Sequence, residues 1–369
     1  MNSTSTVPAQ DNVAVPPFWC PLPSTEFPRP AVLEAAALEW LRARKVEKDP
    51  AQFRRLEQAD FGELAALTMP YGRSAPLLTA TKLHAALFAL DDDVDEGAVG
   101  PDQLAPHVER ILALLDGSAQ PHSGATGGTG AAGDTPRSLA LHEIRLDVER
   151  YATTPQVRRW IAGMRTYLSA VVAETGFRRA ERLPTLEEYV PMWMGAIGMA
   201  PSTALIPVVA GIRVPDSELD RPEVRALTEM TWTLVAFDND LYSRAKELRR
   251  AGDALNLVDV LAGEHGWPLS RAQREAVAMR DRVMALFVRL RDEVATGAGD
   301  PLRRYLEALA QFVRGHLDWA SACVRYAEHR PGEPERAPRE WWTSRPADDS
   351  LSPLPVASVA WWWEQLAPA

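Results

Sequence analysis

Five acidic residues crowd six positions where the apolar run LHAALFAL gives way to DDDVDE: Asp91, Asp92, Asp93, Asp95 and Glu96. Carboxylates at that density repel one another unless water or cations screen them. A solvated helix terminus is the plain reading. Yet acidic groups are disfavoured at a helix C-terminus, where the macrodipole is already negative, and this cluster follows its apolar helix. A hard divalent cation relieves both penalties. Mg²⁺ takes one or two carboxylates and completes its shell with water and phosphate oxygens.

A second set lies in AFDNDLYSRAKEL, where Asn239, Ser243 and Glu247 recur at i, i+4 and i+8. On a helix they stack along one face and offer a carbonyl, a hydroxyl and a carboxylate, a half-shell for another Mg²⁺. Lys246 can meet a phosphate as a point charge. In DWASACVRY, Trp319 precedes Arg325 and Tyr326, two donors suited to phosphate oxygens. Each set alone is equally a polar helix face with ordinary i, i+4 pairs. Both acidic motifs end helices whose preceding turns are apolar. Cations held between them would sit at the mouth of a hydrophobic cavity, which fits a ligand with a diphosphate at one end and a hydrocarbon at the other.

The elements that must position these groups read as helices. AVLEAAALEWLRARKV, ATKLHAALFAL, VRRWIAGMRTYLSAVVAETGF, VRALTEMTWTLVAFDNDLYSRAKEL and LEALAQFVRGHLDWASACVRY all space apolar residues three and four apart. Two-residue alternation is scarce, and the prolines gather at predicted helix edges. With 46% hydrophobic residues the chain has material for a full core. A net charge of -10 argues against nucleic acid or an anionic membrane as partner. Cys20 and Cys323 form no metal or disulfide pattern, and no run of about 18 apolar residues stands out, so a cytoplasmic protein without membrane insertion is expected. Residues 1–15 are expected to be disordered, and 16–326 to form one all-α domain with a flexible loop at about 118–136. The Pro- and Trp-rich tail, 327–369, is expected to pack on that domain or cap it, because so much tryptophan is costly to leave in water.

At this point the chain resembles the bacterial class I terpene synthases. The resemblance rests on Asp91-Asp92-Asp93-Val94-Asp95 read as D-D-x-x-D, on Asn239-Asp240-x-x-Ser243-x-Ala245-Lys246-Glu247, and on Trp319 with Arg325-Tyr326. PPFWCPLPSTEFP, LPTLEEYVPMW and GDALNLVDVL support it. It implies a single helical bundle whose central cavity binds an isoprenyl diphosphate with three Mg²⁺ ions. Asp91, Asp92 and Asp95 would be metal ligands on one side, and Asn239, Ser243 and Glu247 on the other. Lys246, Arg325 and Tyr326 would hold the diphosphate as it ionises, and Phe88, Trp193, Gly198, Trp232, Phe237 and Trp319 would line the hydrocarbon pocket. A monomer or homodimer is implied.

One position departs from the family pattern. Four residues after Tyr189, where the family usually carries a diphosphate-sensing arginine, this chain has Trp193. Arg179 or Arg244 is expected to substitute, or the substrate to be unusual, such as a preformed bicyclic diphosphate. Gly195 and Gly198 keep a helix break plausible there. The rivals are a degenerate synthase that only binds prenyl diphosphates and a chain-elongating prenyltransferase, which would need a second aspartate-rich motif where Asn239-Ser243-Glu247 stands. The substrate's chain length, farnesyl or geranylgeranyl, is left open by the sequence.

Overall fold

The computed structural model describes residues 14–25, 31–95, 100–122, 134–180, 182–251, 255–326 and 341–367, except the side chains of Asp95 and of residues 249–251. The expected disorder of the N-terminal segment, most of the expected loop at 118–136 and the first part of the tail fall outside these residues, as do Glu96 and the Asp95 side chain.

Helices α1 (Ala31–Arg44), α2 (Pro50–Glu57), α3 (Phe61–Thr68) and α4 (Ser74–Asp95) follow a short strand β1 (Phe18–Trp19). Next come α5 (Pro101–Asp116), α6 (Pro136–Tyr151), α7 (Thr154–Arg179), α8 (Leu186–Ala196), α9 (Met199–Ala210) and α10 (Asp216–Leu219). After these, α11 (Pro222–Ala251), α12 (Leu257–His265), α13 (Leu269–Gly297) and α14 (Asp300–Ala322) lead to strand β2 (Trp342–Thr343) and a last turn, α15 (Ala357–Ala360). The expected all-α bundle is the observed fold.

Local chemistry sets the boundaries. Thr153 caps α7 and Thr185 caps α8, each in a reciprocal box with the residue three further on, Gln156 and Glu188. Pro50, Pro101 and Pro136 open α2, α5 and α6, where a missing N–H costs nothing. Pro106, Pro191 and Pro207 depart from the expectation that prolines stay at edges, for they lie inside α5, α8 and α9. Each gives up one backbone hydrogen bond, which burial of these helices offsets. Residues 186–210, across α8 and α9, are long and apolar enough to cross a membrane, yet 83% of their apolar 18-residue window is buried in the bundle.

Helices α4, α8, α9, α11 and α14 pack around a central space, with α3 behind α14 and α4 and with α7 behind α8 and α9. The break between α8 and α9 falls at Gly198, whose φ of 77° favours glycine and where a Cβ would stand 3.2 Å from Leu87 Cδ1. The first and last described segments meet beside α11 and α13. β1 pairs in parallel with β2, Phe18 opposite Trp342. Buried Arg280 on α13 binds Asp238 of α11 at 2.7 Å and donates to the Trp19 carbonyl, while its neighbour Asp281 accepts the Ala347 N–H at 2.7 Å. Further along the tail, Trp362 is fully buried and donates to Glu229 of α11 at 3.0 Å.

Candidate active site

Helix phase decides which motif residues meet. On α4, His84, Leu87, Phe88 and Asp91 recur at i, i+3, i+4 and i+7, one face of the helix. On α11, Val235, Asn239, Lys246 and Glu247 share a face in the same way. These two faces line one cavity with Tyr167 and Arg178 of α7, Trp193 of α8, Gly198, Met199 and Ser202 at the helix break, Phe312 and His316 of α14, and Tyr326. Below the polar residues at its mouth the wall is chiefly apolar. A wider groove on the opposite side of α4, lined by Phe53, Leu90, Val94 and Leu104, shares no lining residue with it.

The aspartates of DDDVD divide between these surroundings. Asp91 lines the cavity. Asp92 is fully buried, with Arg325 Nη2 at 2.6 Å and Arg55 Nε at 3.2 Å. Asp93 turns to the outer groove, where it meets Arg137, Gln52 at 3.1 Å and Lys48 at 3.4 Å. A helix rotates roughly 100° per residue, so three consecutive aspartates cannot serve one site. Asp92 therefore stands away from the cavity, as an anchor for Arg325.

On α11 the Ser243 hydroxyl lies 3.3 Å from Asn239 Oδ1 and hydrogen-bonds the Glu247 carboxylate. Asn239 donates to Tyr242 at 3.1 Å, and Asn256 steadies the set by donating to the Asp240 carbonyl at 3.0 Å and to Glu247 at 3.3 Å. Asp240 is turned inward, accepting from Tyr189 at 2.9 Å and from the Leu257 N–H at 3.2 Å. Burial, reinforced by Glu247, pushes its carboxyl pKa well up. Among the described residues no three acidic, histidine or cysteine side chains converge on one point. The donors at the mouth are instead oxygens on two helices. Such an oxygen-only, incomplete set suits a hard cation whose shell is finished by substrate oxygens.

The cationic donors surround the same mouth. The Lys246 ammonium sits 5.3 Å from the Tyr326 ring centroid, and the Arg325 guanidinium 5.2 Å from that of Phe88. Burial opposes the charge of Arg325, but Asp92, together with Tyr326 and Asp91, outweighs it and raises the guanidinium pKa. Its Nε is buried with no partner among the described residues, a donor still to be matched by an acceptor. Burial raises the Tyr326 pKa, keeping the phenol protonated. Arg178, half-buried at the cavity wall, is held by the carboxylate of Glu174 one turn earlier at 2.8 Å.

Several expected lining residues lie elsewhere. Trp232 faces a separate crevice and donates to Thr203 at 2.8 Å, because α9 has closed over α11 at that depth. Phe237, two residues from Asn239 and so on the opposite face, is in the core. Trp319 forms a second layer, edge-on to Phe88 at 6.0 Å and to Tyr326 at 5.6 Å, with its indole N–H on the Ala59 carbonyl. Phe88, Trp193 and Gly198 do line the cavity. Neither expected substitute for the missing arginine reaches it: Arg244 makes a two-pronged pair with Asp259 at 2.6 and 2.8 Å, and Arg179 packs against Gly100. The cavity arginine is Arg178, one position from Arg179. Sequence reasoning also passed over His84, although it lies seven residues before Asp91, and Asn256, although it stands in the quoted GDALNL.

Fold and site together describe a helical enzyme with oxygen donors poised at the entrance to an apolar chamber. Residues 82–285 match the family described as "Terpene synthase family 2, C-terminal metal binding". Bonnadiene synthase of Allokutzneria albata is 34% identical over 95% of this chain and 97% of its own. Spiroviolene synthase of Streptomyces violens is 34% identical, over 96% and 98%. A crystal structure of the SVS_A2 protein from ancestral sequence reconstruction is 30% identical and superposes with a TM-score of 0.78, covering 95% of this chain and 98% of that one. The chain belongs to the terpene synthase family. It is a lyase that cyclises an isoprenyl diphosphate to a terpene hydrocarbon or alcohol, releases diphosphate and uses divalent metal. The relatives bear synthase names, which favours neither rival, binding protein or prenyltransferase.

Proposed function

We propose that the cavity below Asp91 receives the hydrocarbon of a prenyl diphosphate, with the diphosphate held at the mouth by three Mg²⁺ ions. The observation that carries this reading is that Asp91 and the pair Asn239 and Glu247 come from different helices onto the wall of one apolar chamber. Asp91, assisted by Asp95, would hold metal on the α4 side, and Asn239, Ser243 and Glu247 on the α11 side. Bound Mg²⁺ supplies charge neutralisation of the leaving group. Lys246, Arg178, Arg325 and Tyr326 donate to the diphosphate oxygens, stabilising negative charge as the C1–O bond breaks and its electron pair leaves with diphosphate.

Arg178 takes the diphosphate-sensing place that Trp193 leaves vacant. Trp193 is supported in its position by an N–H bond to the Ala236 carbonyl at 3.2 Å and by stacking on Tyr189 at 6.4 Å. Together with Phe88 it offers an aromatic face to the carbocation. The test is incubation with geranyl, farnesyl, geranylgeranyl and copalyl-type bicyclic diphosphates, with Mg²⁺ and without, followed by mass spectrometry of the extract. A Mg²⁺-dependent terpene from one of the four fixes the substrate. Turnover that survives complete metal removal refutes the reading.

A further inference from the structure

We propose that His84, deep in the cavity, is the base that takes the proton lost when the cyclised carbocation becomes an alkene. This rests on the reading of the cavity as the hydrocarbon site. His84 lies two helical turns below Asp91 on the same face of α4, about 10 Å further in at 1.5 Å per residue. It is thus remote from the proposed diphosphate position at Asp91.

The polar groups of the inner wall separate by what they already bond. Ser202 donates to the Gly198 carbonyl at 2.8 Å, and Tyr167 faces the Leu87 carbonyl at 3.5 Å. His316 shares a hydrogen bond with the Tyr242 hydroxyl at 3.0 Å. His84 is 5% exposed, packs edge-on to Phe312, and its Nδ1 is buried with no hydrogen-bond partner among the described residues. The ring lines the cavity, with that Nδ1 sealed from solvent.

A buried imidazole nitrogen with no protein partner is costly, and a ligand that uses it recovers that cost. Burial also lowers the pKa of His84 to about 4, so the ring is neutral near pH 7 and keeps a lone pair. A neutral ring in the wall does not draw the cation toward it prematurely, as a carboxylate would. With the ring proton on Nδ1, Nε2 accepts the proton from a carbon beside the cationic centre. The C–H electron pair becomes the second bond of the alkene, and imidazole becomes imidazolium. That proton passes to solvent when the product leaves, while diphosphate carries away the electron pair of the broken C1–O bond. The main product is therefore a hydrocarbon.

The experiment uses the full chain with Mg²⁺ and whichever of farnesyl or geranylgeranyl diphosphate it turns over, comparing wild type with His84→Phe, His84→Asn and Phe88→Ala. Diphosphate release and product composition are measured in H₂¹⁸O, with thermal melts to establish folding. In both His84 variants the share of the wild-type hydrocarbon falls on the order of tenfold, replaced by isomeric alkenes or ¹⁸O-labelled alcohols, while release falls far less. His84→Asn, which keeps polarity without basicity, carries the test if His84→Phe does not fold. An ¹⁸O-labelled alcohol as the main wild-type product overturns the proposal, as does a wild-type profile in His84→Asn. If Phe88→Ala shifts the products and the His84 variants do not, only the role of His84 fails. If none of the three shifts them, the cavity reading fails with it.

Discussion

Arg325→Met strands a carboxylate that has no access to water. Asp92 is fully buried against Arg325 at 2.6 Å and Arg55 at 3.2 Å. Removing one partner of a buried pair costs about 3–5 kcal/mol, and the lower end, roughly 3 kcal/mol, applies here because Arg55 stays. Asp92→Asn keeps the volume but leaves the Arg325 guanidinium, 3% exposed, without its counter-charge, again at roughly 3 kcal/mol. In the double variant neither charge is left uncompensated. Its loss should be about 3 kcal/mol, not the sum of roughly 6, which gives a coupling energy of roughly 3 kcal/mol. For a chain of 369 residues each single change lowers Tm by roughly 4 °C. Urea unfolding of the four proteins followed by circular dichroism gives the cycle directly. Additivity within about 0.5 kcal/mol would mean that the two side chains do not act as a pair, and the reasoning from burial would be refuted.

Glu247→Gln should raise the Mg²⁺ concentration for half-maximal diphosphate release by on the order of tenfold with little change in Tm, checked by metal titration. Arg178→Met should lower kcat by on the order of tenfold or more, with Arg178→Lys recovering part of it, read in a diphosphate-release assay. Gly198→Ala forces φ 77° on a residue with a Cβ and presses it to 3.2 Å from Leu87. The cost of about 1–2 kcal/mol should appear as a Tm lower by roughly 2 °C, with an altered product mixture. Burial pushes the Glu34 carboxyl up to about 7, so the folded chain holds a proton that the unfolded chain gives up near pH 4.5. Its contribution is complete below that pH and is lost as pH rises through 7. Glu34→Gln should flatten stability over this window by about 1–2 kcal/mol, after allowance for partial exposure, as measured by urea unfolding at stepped pH.

The stacking of the α11 motif was legible because helical period alone sets its residues on one face. Asn239, Ser243 and Glu247 need only an unbroken helix, and α11 supplies one from Pro222 to Ala251, though it runs a turn past the motif instead of ending there. The aromatic lining was harder to read. Trp232 has the phase of Asn239, yet where it sits the neighbouring helix has already sealed the chamber, and depth is a tertiary quantity. Phe237 could have been excluded by phase. Arg178 and Arg179 differ by one step of rotation at a helix end, so only the packing of α7 against α8 tells which one turns inward. His84 did leave a trace, an i−7 relation to Asp91.

Strand β1 has a consequence for how the chain is made. Phe18 waits for a partner, Trp342, that is synthesised roughly 320 residues later, a contact of very long range. Until then the Asp281 carboxylate lacks the Ala347 N–H and the Trp362 slot beside Glu229 is unfilled. A growing chain can therefore pack α11 against α13 and α14 early, and adds the contacts of residues 341–367 only once these have emerged. A chain stopped before Trp341 would keep α11 packed on α13 and α14 but would lack both the β1–β2 pair and the Trp362 contact to Glu229.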